Sequence, residues 1–258
     1  MSAAGRSKPL ILGNWKMNLT TSETSVHLTG LLPLLRDLGG DREIAVAPPF
    51  TSLPAAAEIL AGSGVHLAAQ DLSFEDAGPY TGEISGEMLQ DLGVRYVLAG
   101  HSERRQHLGE TDRMVSQKVR AALRSDLVPV ICVGEQESAR ASGRAASVVR
   151  TQLLRALEGV PRGDGARLVV AYEPVWAIGT SRAASPRDAE EMHEVIRTAL
   201  ERLFGEGAAS VRILYGGSVT PENIDTFMSC PGIDGALVGG ASLRVKEFAR
   251  IAAFRAHS

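Results

Sequence analysis

Cysteine is nearly missing from this chain of 258 residues. Its two cysteines, Cys132 and Cys230, form no CxxC pair and no disulfide framework, and the six histidines make no spaced cluster, so no metal is expected. An excess of positive charge is also missing. Lys and Arg total 27 against 30 Asp and Glu, for a net charge of −3. That excludes the basic field which holds nucleic acid or an anionic membrane, and any anionic ligand must be gripped locally. No apolar run reaches the ~18 residues of a membrane span. The opening MSAAGRSKPL has no apolar core long enough for a signal peptide, and a cytoplasmic protein is expected. No Gly/Ser/Pro linker, low-complexity tract or self-similar repeat divides the sequence, which reads as one domain over residues 1–258.

What is present is a 44% hydrophobic composition, enough for a substantial core, delivered in short bursts. Apolar, often β-branched runs recur at Leu10–Leu12, Ile44–Ala47, Val65–Ala69, Val94–Ala99, Leu127–Val133, Leu168–Tyr172, Val211–Tyr215 and Gly235–Val238. Between most of them the spacing is helical. From Asp188 to Phe204, for example, Met192, Val195, Ile196, Ala199, Leu200 and Leu203 share one face. Continuous apolar runs alternating with helices mark parallel strands covered on both faces. Eight such units suggest an α/β fold of the closed (β/α)8 TIM-barrel type, for which ~250 residues is usual. An open doubly wound sheet would lead its first strand into a GxGxxG turn, and here that strand leads into GNWKMN.

In such a barrel the side chains just past the C-terminal strand ends converge on one mouth. Asn14 and Lys16 follow the first strand, His101 and Glu103 the fourth, and Glu173 the sixth. Lys16 is one of only four lysines beside 23 arginines. It suits a phosphate or a developing oxyanion, or its stem lies on apolar surface with its head in water. His101, between Gly100 and Ser102, is either a hydrogen-bonded structural residue or an imidazole whose pKa a helix N-terminus lowers. Glu173 is either half of a buried ion pair or a general base, its pKa raised by loss of water. Arg104 and Arg105 read as ion-pair residues.

PVWAIGTSRAAS after Glu173 reads as a lid, with Gly179 able to bring a backbone N–H to a ligand. The pairs Gly216–Gly217 and Gly239–Gly240 follow the last two strands, where barrel enzymes frequently hold phosphate. A helix start is expected at Ser218 to Glu222, with Pro221 in its first turn.

In this order, GNWKMN, GHSERR, AYEPVWAIGT, YGGSV and LVGGASL resemble the triosephosphate isomerase family, from about Leu10 to the C-terminus. The barrel takes its name from that family. The resemblance implies interconversion of dihydroxyacetone phosphate and D-glyceraldehyde 3-phosphate through an enediol or enediolate, without metal or organic cofactor. It implies Glu173 as the base, neutral His101 as the electrophile, Lys16 as the positive charge, Asn14 as a hydrogen-bonding partner and Glu103 as a buried supporting carboxylate. Phosphate would rest on backbone N–H groups of Gly179, Ser218, Gly239 and Gly240.

A homodimer is implied as well, formed through the loop SFEDAGPYTGEIS with Thr81 near its tip. Asp71, where many relatives carry an amide, is expected to shift charge at that interface. Ser181, Arg182 and Ala183 depart from the family's Gly-Lys-Thr in the lid's far hinge. The alternatives are a Schiff-base aldolase using Lys16, and a non-catalytic phosphometabolite-binding barrel.

Overall fold

The computed structural model describes residues 8–36, 38, 40–178 and 184–256. Its strands are β1 (Leu10–Asn14), β2 (Glu43–Ala47), β3 (Val65–Ala69), β4 (Val94–Ala99), β5 (Val128–Val133), β6 (Val169–Tyr172), β7 (Arg212–Tyr215) and β8 (Gly235–Val238). They pair in parallel in chain order, and Leu10 of β1 meets Gly235 of β8 to close the barrel. This is the (β/α)8 barrel expected from the sequence.

Residues alternate along each strand between two apolar environments. Leu10, Leu12, Ala45, Tyr96, Leu98, Val130, Cys132, Val169, Ala171, Leu214 and Leu237 fill the barrel. Their neighbours Ile11, Val46, Leu67, Val97, Ile131, Val170 and Ile213 pack outward under the helices. Burying each such aliphatic side chain contributes about 1.5–3 kcal/mol. Neither face meets water, so the strands read as unbroken apolar runs.

The covering helices are α1 (Thr21–Leu35), α2 (Leu53–Leu60), α3 (Gly86–Asp91), α4 (Ser102–His107), α5 (Asp112–Arg124), α6 (Glu137–Ala141), α7 (Ala145–Ala156), α8 (Pro186–Phe204), α9 (Ile224–Met228) and α10 (Val245–Ala252). α8 starts two residues before the expected Asp188, because Ser185 and Asp188 form a reciprocal cap around Pro186. It buries Met192, Ile196, Ala199 and Leu200, as its spacing requires.

The expected helix start at Ser218 to Glu222 is not found. The Thr220 N–H donates to Asn223 Oδ1 at 2.8 Å, which closes a separate turn, and α9 begins only at Ile224. After β8, Gly240–Leu243 is a 3-10 turn. Among the described residues, no helix is long and apolar enough to cross a membrane.

Candidate active site

Asn14 is the buried last residue of β1. Lys16 follows two residues later in the left-handed region, with φ +53°. A β-unbranched side chain there costs about 1 kcal/mol, so something must hold the backbone. Asn14 Oδ1 accepts the Lys16 N–H at 3.0 Å, and Gln70 Nε2 donates to the Lys16 and Ala47 carbonyls at 2.7 and 2.8 Å. Held in this way, Lys16 places Nζ 2.6 Å from Glu103 Oε1.

Gly100, at φ +79°, turns the chain out of β4 and leaves His101 as the cap of α4. The Glu103 N–H is directed at His101 Nδ1, 3.3 Å away. Accepting that bond requires a lone pair on Nδ1, which in a neutral ring puts the proton on Nε2. Nε2 lies 3.1 Å from Glu173 Oε1. The other oxygen, Oε2, accepts the Ser102 N–H at 2.9 Å. The Glu173 side chain is only 3% exposed.

The charges of this pair differ from the sequence expectations. Burial pushes the Glu173 carboxyl up, but His101 and the Ser102 N–H outweigh burial and hold its pKa below the ordinary value. Burial likewise works against a charged His101, yet the Glu173 and Glu103 carboxylates outweigh it and raise the ring's pKa. The Glu103 N–H acts the other way, since an imidazolium has no lone pair to accept it. The expected raised glutamate and lowered histidine are therefore absent in this arrangement, because the two side chains face each other.

Glu103 also departs from expectation. Its side chain is 44% exposed and pairs with Lys16 at the mouth, since its place in the first turn of α4 points it outward. The buried carboxylate behind the site is Glu110, whose Oε1 accepts the Gly100 N–H at 2.9 Å. Asn14, Lys16, His101, Glu103 and Glu173 line one cavity of about 520 Å³, together with Ser218, Gly239 and Gly240. A Cβ placed on Gly239 would lie 3.6 Å from Lys16 Cε, so that backbone passes close to the ammonium. Gly179 and the hinge residues Ser181, Arg182 and Ala183 lie outside the described residues.

The start of the segment after Glu173 is anchored by a residue that sequence reasoning missed. Glu135, fully buried just past β5, accepts from Trp176 Nε1 at 2.7 Å and Tyr172 OH at 3.1 Å through Oε1. The Arg140 guanidinium lies over the Trp176 ring, 4.3 Å from its centre. Gln70 was missed too. Both stand just past a strand end, the same signal that marks Lys16 and Glu173. Arg104 and Arg105 do form ion pairs, with Asp71 and Glu110 and with Asp112 respectively.

A closed parallel barrel with a carboxylate, an imidazole and an ammonium converging on its C-terminal mouth defines a barrel enzyme equipped for proton transfer beside an oxyanion. The family model described as triosephosphate isomerase matches residues 9–255. Triosephosphate isomerase of Moorella thermoacetica is 51% identical over 244 residues, covering 95% of this chain and 97% of that one. That of Chloroflexus aurantiacus is 52% identical, covering 94% and 97%. The crystal structure of triosephosphate isomerase from Bartonella henselae superposes with a TM-score of 0.85 at 39% identity, covering 95% of this chain and 97% of that one. The chain belongs to the triosephosphate isomerase family.

Proposed function

We propose that this chain interconverts dihydroxyacetone phosphate and D-glyceraldehyde 3-phosphate, with Glu173 as general base and neutral His101 as electrophile. Family membership supports the reaction. The roles rest on one observation above others, the Glu103 N–H at His101 Nδ1, which leaves Nε2 to donate. The Glu173 carboxylate takes the proton from the carbon beside the carbonyl, and the C–H electron pair moves into an enediolate. Negative charge grows on the carbonyl oxygen, where His101 Nε2–H and the Lys16 ammonium stabilise it. Asn14 adds a hydrogen bond. The imidazole moves a proton between the two oxygens, and Glu173 returns its proton to the other carbon.

To reach the substrate, Glu173 exchanges His101 and the Ser102 N–H for the C–H bond. The donors that hold its pKa down are then left behind, burial remains, and the carboxylate becomes a stronger base. His101 loses its carboxylate neighbour in the same step, which favours the neutral ring. Backbone N–H groups of Ser218, Gly239, Gly240 and Gly179 hold the phosphate. Glu103 is the counter-ion with which the substrate competes for Lys16.

The same reading takes residues 1–258 as one barrel domain, in a cytoplasmic enzyme, and makes the molecule a homodimer through the loop carrying Thr81. Thr81 is exposed, and Met17, next to Lys16, is 95% exposed, an apolar side chain at the site's edge that a partner copy would cover.

A coupled assay with D-glyceraldehyde 3-phosphate in the presence of a chelator tests the reaction. Run in deuterated water, it places solvent deuterium on the carbon alpha to the product carbonyl. Glu173→Ala is expected to lose about 10²–10⁴-fold in kcat, and unaltered turnover sinks the base assignment. Borohydride added with substrate traps nothing on Lys16 unless the aldolase reading is right. Full activity in a species that sediments as a monomer overturns the dimer.

A further inference from the structure

Asp71, expected to shift charge at the subunit interface, has its carboxylate engaged within its own chain as well. Two residues past β3, at the base of the loop that carries Thr81, it is buried. One oxygen accepts from Lys118 Nζ at 2.5 Å and the other from Arg104 Nη2 at 2.7 Å. Both cations also reach Glu110 Oε2, Arg104 through Nε at 2.6 Å and Lys118 at 3.1 Å. The four side chains close a ring of alternating charge, Asp71, Lys118, Glu110, Arg104, in which every charge has two opposite neighbours.

The ring grips the chain on both sides of His101. Before it, Glu110 Oε1 holds the Gly100 N–H at 2.9 Å. After it, Arg104 sits in α4, and the Arg104 N–H donates to the His101 carbonyl at 2.9 Å. Neutralising Asp71 leaves two cations, Lys118 buried and Arg104 half-buried, sharing one carboxylate, an imbalance that the remaining side chains relieve by moving. Among the described residues, Glu110 is the one carboxylate left that touches both, and it is also the group that fixes the peptide leading into His101.

We propose that Asp71 is a positioning residue for His101, acting through Arg104 and Glu110. This rests on the role given to His101 above. Its contribution is to keep Nε2 aimed at the substrate oxygen, and a misplacement of a fraction of an ångström there is felt in the chemical step and not in phosphate binding. Asp71→Asn keeps the volume and removes the charge. Its kcat is expected to fall on the order of tenfold with KM within about twofold, since the loss is confined to the transition state.

The same substitution in a His101→Gln background is expected to cost nothing further, because the imidazole it positions is gone. A purely structural role would lower thermal stability with kcat unchanged, or cost the same factor in both backgrounds, and either result overturns the proposal. If Asp71→Asn does not fold, Arg104→Lys replaces it. The substitution removes the guanidinium's two separately directed contacts, Nη2 to Asp71 and Nε to Glu110, and the same kcat loss at fixed KM is required. If His101→Gln alone leaves kcat unchanged, the assignment of His101 falls and the positioning role with it. A large loss in His101→Gln beside a silent Asp71→Asn overturns the positioning role alone.

Discussion

Glu173 stands where it does because residue 134 has no side chain. A Cβ on Gly134 would lie 1.7 Å from the Glu173 carbonyl oxygen, and the obstacle is backbone, which cannot rotate out of the way. Gly134 is also clamped, its N–H donating to Gln152 Oε1 at 2.8 Å and its carbonyl accepting from Gln152 Nε2 at 3.1 Å. Gly134→Ala must therefore push the end of β6 outward and carry the Glu173 carboxylate with it. A displacement of about 1 Å in a catalytic group costs on the order of 10²-fold in rate. Steady-state kinetics on the variant should show that loss mainly in kcat, and an unchanged kcat/KM would mean that the strand end is more compliant than its contacts imply.

The two ends of the barrel strands divide the work between chemistry and stability. At the N-terminal ends, opposite the mouth, Tyr96 OH donates to Glu43, and Arg212 donates to Tyr96 OH at 2.9 Å and to Glu43 Oε2 at 3.1 Å. This cluster closes the barrel floor. Tyr96→Phe removes the hydroxyl that joins the other two groups, at an expected cost of about 1–3 kcal/mol. Thermal unfolding should move down by several degrees while kcat and KM stay at their original values, and a kinetic change would show that floor and mouth are coupled.

The elements themselves were largely legible. β3, β4 and β8 run over the residues their apolar runs mark, whereas β1 extends through Gly13 and Asn14, whose polar end belongs to the site. Asn14, Lys16, His101 and Glu173 could be singled out because each lies at or just past a strand end and needs only local reading. The ring through Asp71 and Lys118 could not, since its partners lie 47 residues apart and meet only when β3 and α5 come together. Glu103 was misplaced for a related reason: its sequence position gives the helix turn, but not the direction in which the side chain leaves it.

For the whole molecule, pH separates two kinds of buried titratable group. His193 on α8 is nearly inaccessible, its Nδ1 3.0 Å from the Gly232 carbonyl and its Nε2 buried without a partner among the described residues. A second proton would have to sit on that unpartnered nitrogen, and burial lowers the pKa from 6.5 to about 4. Burial also lowers the pKa of His27 and His66. Below pH 6.5 the unfolded chain therefore binds protons that these folded rings refuse, for His193 down to about pH 4, and stability declines as pH falls.

His101 has the opposite sign. Its folded pKa is raised, so its contribution is present at low pH and fades as pH rises through that pKa. The lowered rings of His27, His66 and His193 lose stability on acidification where His101 gains it, and Glu43, Glu110 and Glu173, all held below their ordinary values, add their losses at lower pH. Urea unfolding at pH 7.5, 6 and 5 should show stability already falling across that interval. His193→Asn, whose amide can still donate to Gly232, should flatten the slope by about 1 kcal/mol per pH unit. An identical slope in wild type and variant would assign the acid sensitivity to other groups and leave His193 titrating with its ordinary pKa in the folded chain.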